Sequence, residues 1–280
     1  MESDLRKAFE EYLIKIGMKR YTYYSGIIAA ATPGLDSVVM CHLLKEIGAL
    51  KGIAHCNYGL LKSADEDEGF VLNLALELEV PFYHQRFSTR KYAQHWDIPQ
   101  QVAARRLRFA FLEKTRMEAK VEFVATAFNG DEAQELLFIN MARGSGLLEM
   151  SCIRPRSFFL VRPLLFASRA EIQQYANEKG LTYQPDKAEW NEDTMHAKVR
   201  EHVIPAMQAL NPHFMKGMRE TMERWHSAAE MLRSQVASRY YNWDHRTHTV
   251  DITLYGIEGK PDGMEKLYHS VKDFGFDYEQ

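Results

Sequence analysis

The feature that most constrains this chain is an alternation. Between residues 27 and 180, short apolar runs take turns with longer segments whose apolar residues recur at helical spacing. The runs are IIAAA, KGIAHCN, VPFYHQRF, VEFVATA and FFLVRPL. The helical segments between and after them are DSVVMCHLLKEIG, ADEDEGFVLNLALELE, PQQVAARRLRFAFLEKTRMEA, DEAQELLFINMAR and SRAEIQQYANEKG. Only a few residues join each element to the next. Strands linked through helices lie parallel, and the crossovers place helices on both faces of the sheet. The pattern predicts an α/β fold, a doubly wound parallel sheet of about five strands, followed by a small helical domain. An amphipathic helix, LRKAFEEYLIKIG, precedes the alternation, and a long helical stretch, MKGMRETMERWHSAAEMLRSQVASRYYNW, follows it. THTVDITLYGIEGKPDG reads as a mixed, turn-rich link. The expected division is residues 1–215 for the sheet-bearing domain and 216–280 for the helical remainder.

Composition narrows the function classes. With 46% hydrophobic and 26% charged residues, the chain has the make-up of an ordinary folded domain. A net charge of -3 gives no global attraction to nucleic acid, so any RNA contact must come from local basic patches. Cys41, Cys56 and Cys152 are isolated, and without a CxxC pair neither disulfides, structural zinc nor an iron–sulfur cluster is supported. The opening MESDLRKAFE lacks a signal-peptide apolar core, and no apolar run is long enough to span a bilayer. The expected location is the cytoplasm, with no membrane association.

In open α/β sheets, ligands bind beyond the carboxyl ends of the strands. The segments there are TPGLDS after the first strand, NYGL after the second, and FNGDEAQE after the fourth. In TPGLDS the free N–H groups of a helix mouth, with Asp36 and Ser37, can cradle phosphate. Pro33 contributes no N–H to such a cradle, so an N-capped helix after a Pro-Gly turn is the competing reading. Asp131 and Glu132 at a helix start can hold Mg²⁺ through oxygen ligands, or simply cap the helix and suit its dipole. Arg105 and Arg108 lie three apart on one helix face, where they can stabilise phosphate charge or meet an RNA backbone, whereas Arg106 reads as solvated. Arg143, in ARGSG, can contact substrate or close a helix. Lys198 and Arg200 belong to a basic scatter interleaved with acids.

These motifs occur in a telling order. IAHCNYGL, DEDEGFV, AARRLRF, ATAFNGDEAQE, ARGSG, RPLLFASRAEI and REHVIPAMQALNP follow one another over roughly residues 20–215. The set resembles the tRNA(Ile)-lysidine synthase family of the PP-loop ATP pyrophosphatases. That family reads SGGxDS, AHxNHGLR, AARxLRY, HNxDDQAET, RGTG, RPLL, SRxEI and RNxIRHxVIPxLxxxNP. DITLYGIEGKPDGMEKLYHSVKDFGFDYEQ resembles the family's connector into a later region. The resemblance implies ATP and Mg²⁺ as cofactors and a tRNA(Ile) with a CAU anticodon and free lysine as substrates. It implies nucleotide contacts from Thr32, Gly34, Asp36, Ser37 and Asn57, catalytic roles for Asp36, Arg105, Asp131 and Glu132, and metal contacts from Asp131 and Glu132. It also implies tRNA contacts from Arg108, Arg143, Lys198 and Arg200, and leaves a homodimer open.

The chain departs from the family where the chemistry lies. Thr32-Pro33-Gly34 stands for Ser-Gly-Gly, Tyr58 for a His, Phe128 for a His, His196-Ala197 for Arg-Asn, and Glu149 for a glycine. In Asp131-Glu132-Ala133-Gln134-Glu135 the acids persist while Ala and Gln exchange places. Two further readings therefore stand beside an AMP-forming ligase: a non-catalytic relative that binds tRNA or a protein partner, and another PP-loop tRNA-modifying enzyme such as a thiolase. The missing cysteine pairs count against the thiolase.

Overall fold

The computed structural model describes residues 4–18, 25–146, 150, 153–185, 195–244 and 249–252. Glu149, Cys152 and nearly all of the connector-like stretch lie outside them. In chain order the first elements are α1 (Asp4–Lys15), β1 (Ile27–Ala30), α2 (Leu35–Glu46), β2 (Leu50–Asn57), α3 (Ala64–Glu77) and β3 (Phe82–Arg86). Then come α4 (Thr89–His95), α5 (Gln100–Glu118), β4 (Phe123–Thr126), α6 (Gly130–Ala142), β5 (Arg156–Ser157), β6 (Leu160–Val161) and α7 (Arg169–Lys179). A short helix α8 (Met195–Lys198), a π-helical turn (Val199–Val203) and α9 (Ile204–Leu210) form one winding segment. The last elements are α10 (Phe214–Tyr240) and the antiparallel strands β7 (Tyr241–Asp244) and β8 (Thr249–Ile252).

The sheet order is β3-β2-β1-β4-β6-β5. The five expected strands are its parallel part, and β5, a two-residue antiparallel edge, makes the sixth. Alternation along the strands sorts the core into two layers. Ile27, Ala29, Ile53, Phe123 and Ala125 face α1, α2, α3 and α7, packing with Phe9, Leu13, Val39, Leu43, Val71 and Ile172. Ile28, Ala54 and Val124 point the other way, onto Phe111 and Leu112 of α5. β1 is buried on both sides, which is why it reads as a continuous apolar run.

Helix ends follow their local chemistry. Ser168 and Glu171 form a reciprocal capping box at the start of α7, and Gly180 ends it with φ +63. Asn129 and Glu132 make an equivalent pair at α6. Glu132 N donates to Asn129 Oδ1 at 2.9 Å, and Asn129 N donates to Glu132 Oε2 at 3.1 Å. The mouth of α2 differs: Gly34 is its N-cap and no side chain caps it.

The chain divides into two compact units, Met1–Ile139 with Ile153–Ala206, and Asn140–Cys152 with Met207–Gln280. The first holds the sheet and the second holds α10 and the β7–β8 hairpin. The long helix stops at Tyr240, three residues before its expected end, because the chain turns into β7. Among the described residues no helix is long and apolar enough to cross a membrane.

Candidate functional site

The loop after β1 ends at a helix mouth whose first N–H groups have no intrahelical partner. Gly34 sits in extended backbone (φ -66, ψ 157), a conformation any residue can adopt. Thr32 Oγ1 and Ser37 Oγ are 3.1 Å apart, one hydroxyl exposed and the other buried, and together they bridge the loop. Pro33 is buried and its carbonyl accepts the Gln184 N–H at 2.9 Å. The loop is therefore anchored from behind by the irregular segment that follows α7.

Three acids converge on this mouth from two strand ends. Asp36 lies in the first turn of α2 and accepts from Arg169 Nη1 at 3.4 Å. Asp131 Oδ2 accepts the Arg169 backbone N–H at 3.0 Å, which ties the first turn of α6 to the first turn of α7. Glu132 is pushed up to about 7, chiefly by burial and then by the charges of Asp36 and Glu135; the Asn129 N–H and Arg169 pull the other way. Arg169 was not among the expected site residues. It follows the capping Ser168 in SRAEI, and the capping pattern carries no hint of a role at another helix.

One close approach holds this arrangement. Gly130 N donates to Ala167 O at 2.8 Å. A Cβ at Gly130 would lie 2.9 Å from Leu165 O and 3.0 Å from Ala167 O, against backbone that cannot step aside. Gly130→Ala is expected to cost about 1–3 kcal/mol of stability, read as a lowered urea midpoint, because α6 must move off the 165–167 turn.

Glu135, one turn beyond Glu132, is 3% exposed. Arg200 Nε donates to its Oε1 at 2.7 Å and Arg200 Nη2 to its Oε2 at 3.2 Å; His196 Nδ1 is 3.2 Å from the same Oε2. Arg200, expected as an RNA contact, thus anchors the α8–π segment onto α6. His196 stands where the resemblance has Arg and keeps a polar contact to the same acid. Lys198 is exposed at the end of α8.

Asn57 is buried at the end of β2 with both ends of its amide engaged. Its Nδ2 donates to Glu68 Oε2 at 2.9 Å and to Asp65 Oδ1 at 3.0 Å, and its Oδ1 accepts the Gly59 N–H at 3.0 Å. Glu68 also accepts from Arg86 Nε at 2.9 Å. The network shapes the loop after β2. Tyr58 stacks on Phe87 with ring centroids 6.0 Å apart, and its hydroxyl meets Cys56 and Arg108. Arg105 and Arg108 are exposed on α5. Arg143 lies in the turn after α6, in the second unit, with its N–H on Asn140 O at 3.1 Å.

The donor set suits a phosphate with a divalent cation. An uncapped helix mouth offers N–H groups, while Asp36, Asp131 and Glu132 place negative charge around it that a bridging cation would offset. Among the described residues no group of three or more His, Cys, Asp or Glu closes on a single point.

A PP-loop domain model matches residues 3–207. The chain belongs to this PP-loop family. It is 32% identical over 259 residues to the tRNA(Ile)-lysidine synthase of Porphyromonas gingivalis, covering 91% of this chain and 56% of that protein. The protein of the same name from Parabacteroides distasonis is 29% identical over 273 residues, covering 95% and 61%. That of Petrotoga mobilis is 26% identical over 281 residues, covering 94% and 90%. The chain thus spans little more than half the length of the first two relatives. Among solved structures, a U34-tRNA thiolase from Methanococcus maripaludis shares the fold, with a TM-score of 0.65 at 15% identity over 80% of this chain and 78% of that one.

Proposed function

We propose that this PP-loop chain is an AMP-forming ligase of the tRNA(Ile)-lysidine synthase kind, with residues 1–215 as its catalytic part. The carrying observation is the convergence of Asp36, Asp131 and Glu132 on the uncapped mouth of α2. Bound ATP with Mg²⁺ supplies the adenylation that turns the oxygen on carbon 2 of the wobble cytidine into a leaving group. The protein's tasks are to hold phosphate, position the base and orient the lysine amine for attack.

In this reading the amides of the α2 mouth, with Thr32 and Ser37, hold the phosphates. Asp36, Asp131 and Glu132 face the metal. Asp131 owes its position to Arg169 N–H. Arg105 and Arg108 face developing negative charge and the RNA, with Lys198 as an outlying contact. Glu135 and Arg200 act one layer back by fixing α6 against the α8–π segment. Cytoplasmic location follows from a tRNA substrate.

The test is AMP release and lysine incorporation on a tRNA(Ile) transcript with a CAU anticodon. AMP formed only when tRNA and lysine are both present supports the reading. ATP-independent tRNA binding without AMP supports the second reading, a non-catalytic relative, which Pro33 favours because it leaves the loop one N–H short. Pro33→Gly restores that N–H and is expected to tighten Mg·ATP binding up to about tenfold while costing under about 1 kcal/mol of stability. Calorimetric titration of the variant checks it, and unchanged affinity counts against a phosphate-holding loop.

A further inference from the structure

We propose that the exposed ring of Trp96, at the end of α4, with Tyr92, His95, Arg90 and Lys91 around it, is a stacking platform for an unpaired base of a single-stranded RNA. These residues lie outside the motifs that carry the family resemblance. Helical spacing builds the platform. Thr89 and Ala93, four apart, are buried and seat α4. Lys91 with His95, and Tyr92 with Trp96, are also four apart, so they form two neighbouring rows beside that buried face. The backbone fixes where Trp96 stands. Its N–H donates to Tyr92 O at 3.2 Å, Asp97 takes left-handed backbone (φ 48), and the Ile98 N–H returns to Ala93 O at 3.0 Å. The helix is thereby closed directly behind the indole. His95 meets the indole edge-on, with centroids 5.2 Å apart and planes at 87°, and Tyr92 is tilted by 45° at 6.3 Å. Neither ring lies flat on the indole, so it is braced with a face left open.

Exposure and charge select the ligand. Trp96 is 55% exposed, whereas Trp225, the other tryptophan whose side chain is described, is half-buried. The rim is basic: no acid occurs in the sequence between Glu79 and Asp97. Arg90 and Lys91 are exposed, and neither joins an ion pair among the described residues. An open aromatic face beside unpaired cations suits a polynucleotide, whose unstacked base lies on the ring while its phosphates meet the charges. A second copy of this chain is a poorer fit. In a symmetric dimer through this face Arg90 and Lys91 would approach their own copies, and like charges across an interface oppose association. The placement agrees with the ligand. Thr89 Oγ1 donates to Tyr58 O at 2.7 Å and the Phe87 N–H to Asn57 O at 2.8 Å, so α4 is fastened to the loop after β2. The platform thus stands at the carboxyl end of the sheet, as the acids of the candidate site do, toward the β3 edge.

That the strand belongs to a tRNA substrate rests on the function proposed above; the platform itself does not. The experiment titrates the full chain, without ATP, against a fluorescent single-stranded RNA heptamer read by anisotropy, with a blunt RNA duplex as control. The proteins are wild type, Trp96→Ala, Trp96→Phe, Arg90→Gln and Lys91→Gln. All three positions are exposed, so the variants are expected to fold, and circular dichroism checks this. Trp96→Ala weakens heptamer binding about tenfold at an unchanged salt slope, and Trp96→Phe keeps most of the affinity because a ring is still present. Arg90→Gln and Lys91→Gln each lower the salt slope by about 0.7. Duplex binding does not depend on Trp96, since its bases are already stacked. AMP formation is measured separately: if wild type forms no AMP yet holds the heptamer through Trp96, the ligase reading fails and the platform stands. Equal heptamer affinity in wild type and Trp96→Ala, or no binding by wild type, overturns the proposal. A dimer seen by sedimentation in wild type and lost in Trp96→Ala, with heptamer affinity unmoved, overturns it too and gives this face to a second copy.

Discussion

Arg200→Ala is expected to lower stability by about 2–3 kcal/mol, seen as a reduced urea midpoint at unchanged slope. Removing the arginine strands the Glu135 carboxylate, whose side chain is 4% exposed, in a place where water cannot reach it. His196 remains at 3.2 Å and limits the loss. Arg200 is itself 65% exposed, so the cost comes almost wholly from the acid left behind. Replacing both partners, Glu135→Leu with Arg200→Ala, is therefore expected to recover most of the stability, since an apolar pair carries no stranded charge. It should not recover activity if α6 must be held against the α8–π segment. A shift below about 0.5 kcal/mol in the single variant would show that the pair is a surface contact of ordinary strength.

The pH dependence of stability should carry a mark of Glu132. Its carboxyl moves from an ordinary value near 4.5 to about 7 in the folded chain. Below the unfolded value both states hold the proton and the residue has no effect. Between the two values the folded state keeps a proton that the unfolded state has released, so stability falls as pH rises. Above about 7 the loss is complete, at about 3 kcal/mol. Glu132→Gln keeps an oxygen for the Asn129 N–H while removing the charge. That variant is expected to melt higher than wild type at pH 8, to equal it near pH 4, and to lose the decline between. If Glu132 contacts the metal, Mg²⁺ with ATP stabilises wild type at pH 8 and fails to do so in Glu132→Gln. Parallel pH profiles for the two proteins would place Glu132 in solvent.

Most of the sheet was legible because its central strands are buried on both faces. Ile27, Ile28 and Ala29 leave no polar position to interrupt the run, and the Ser168–Glu171 cap announces α7 by its spacing alone. The edge was not legible. β5 has two residues, too few for any periodicity, and its pairing with β6, which the FFLVRPL run announced, is set by the turn at Phe158 and Phe159. α4, TRKYAQH, is a seven-residue helix whose apolar positions are too few to declare one.

The candidate site divides in the same way. Asp36, Asp131 and Glu132 could be placed together from topology, since all three follow strand ends. Their partners could not. Arg169 reaches Asp36 across 133 positions and Arg200 reaches Glu135 across 65, and nothing local marks either contact. Asn57 shows the reverse limit: its position beside the loops was readable, but the saturation of its amide by Glu68, Asp65 and Gly59 emerges only when α3 packs on β2.

The central claim is that the loop after β1 holds Mg·ATP despite Pro33. Calorimetric titration of the wild-type chain and of Asp36→Ala with ATP and Mg²⁺ tests it most directly. The account predicts micromolar binding by wild type and a loss of about a hundredfold or more in the variant, since the acid that faces the metal is gone. No binding by wild type at millimolar ATP, or equal binding by both proteins, would contradict it and leave the PP-loop as architecture alone.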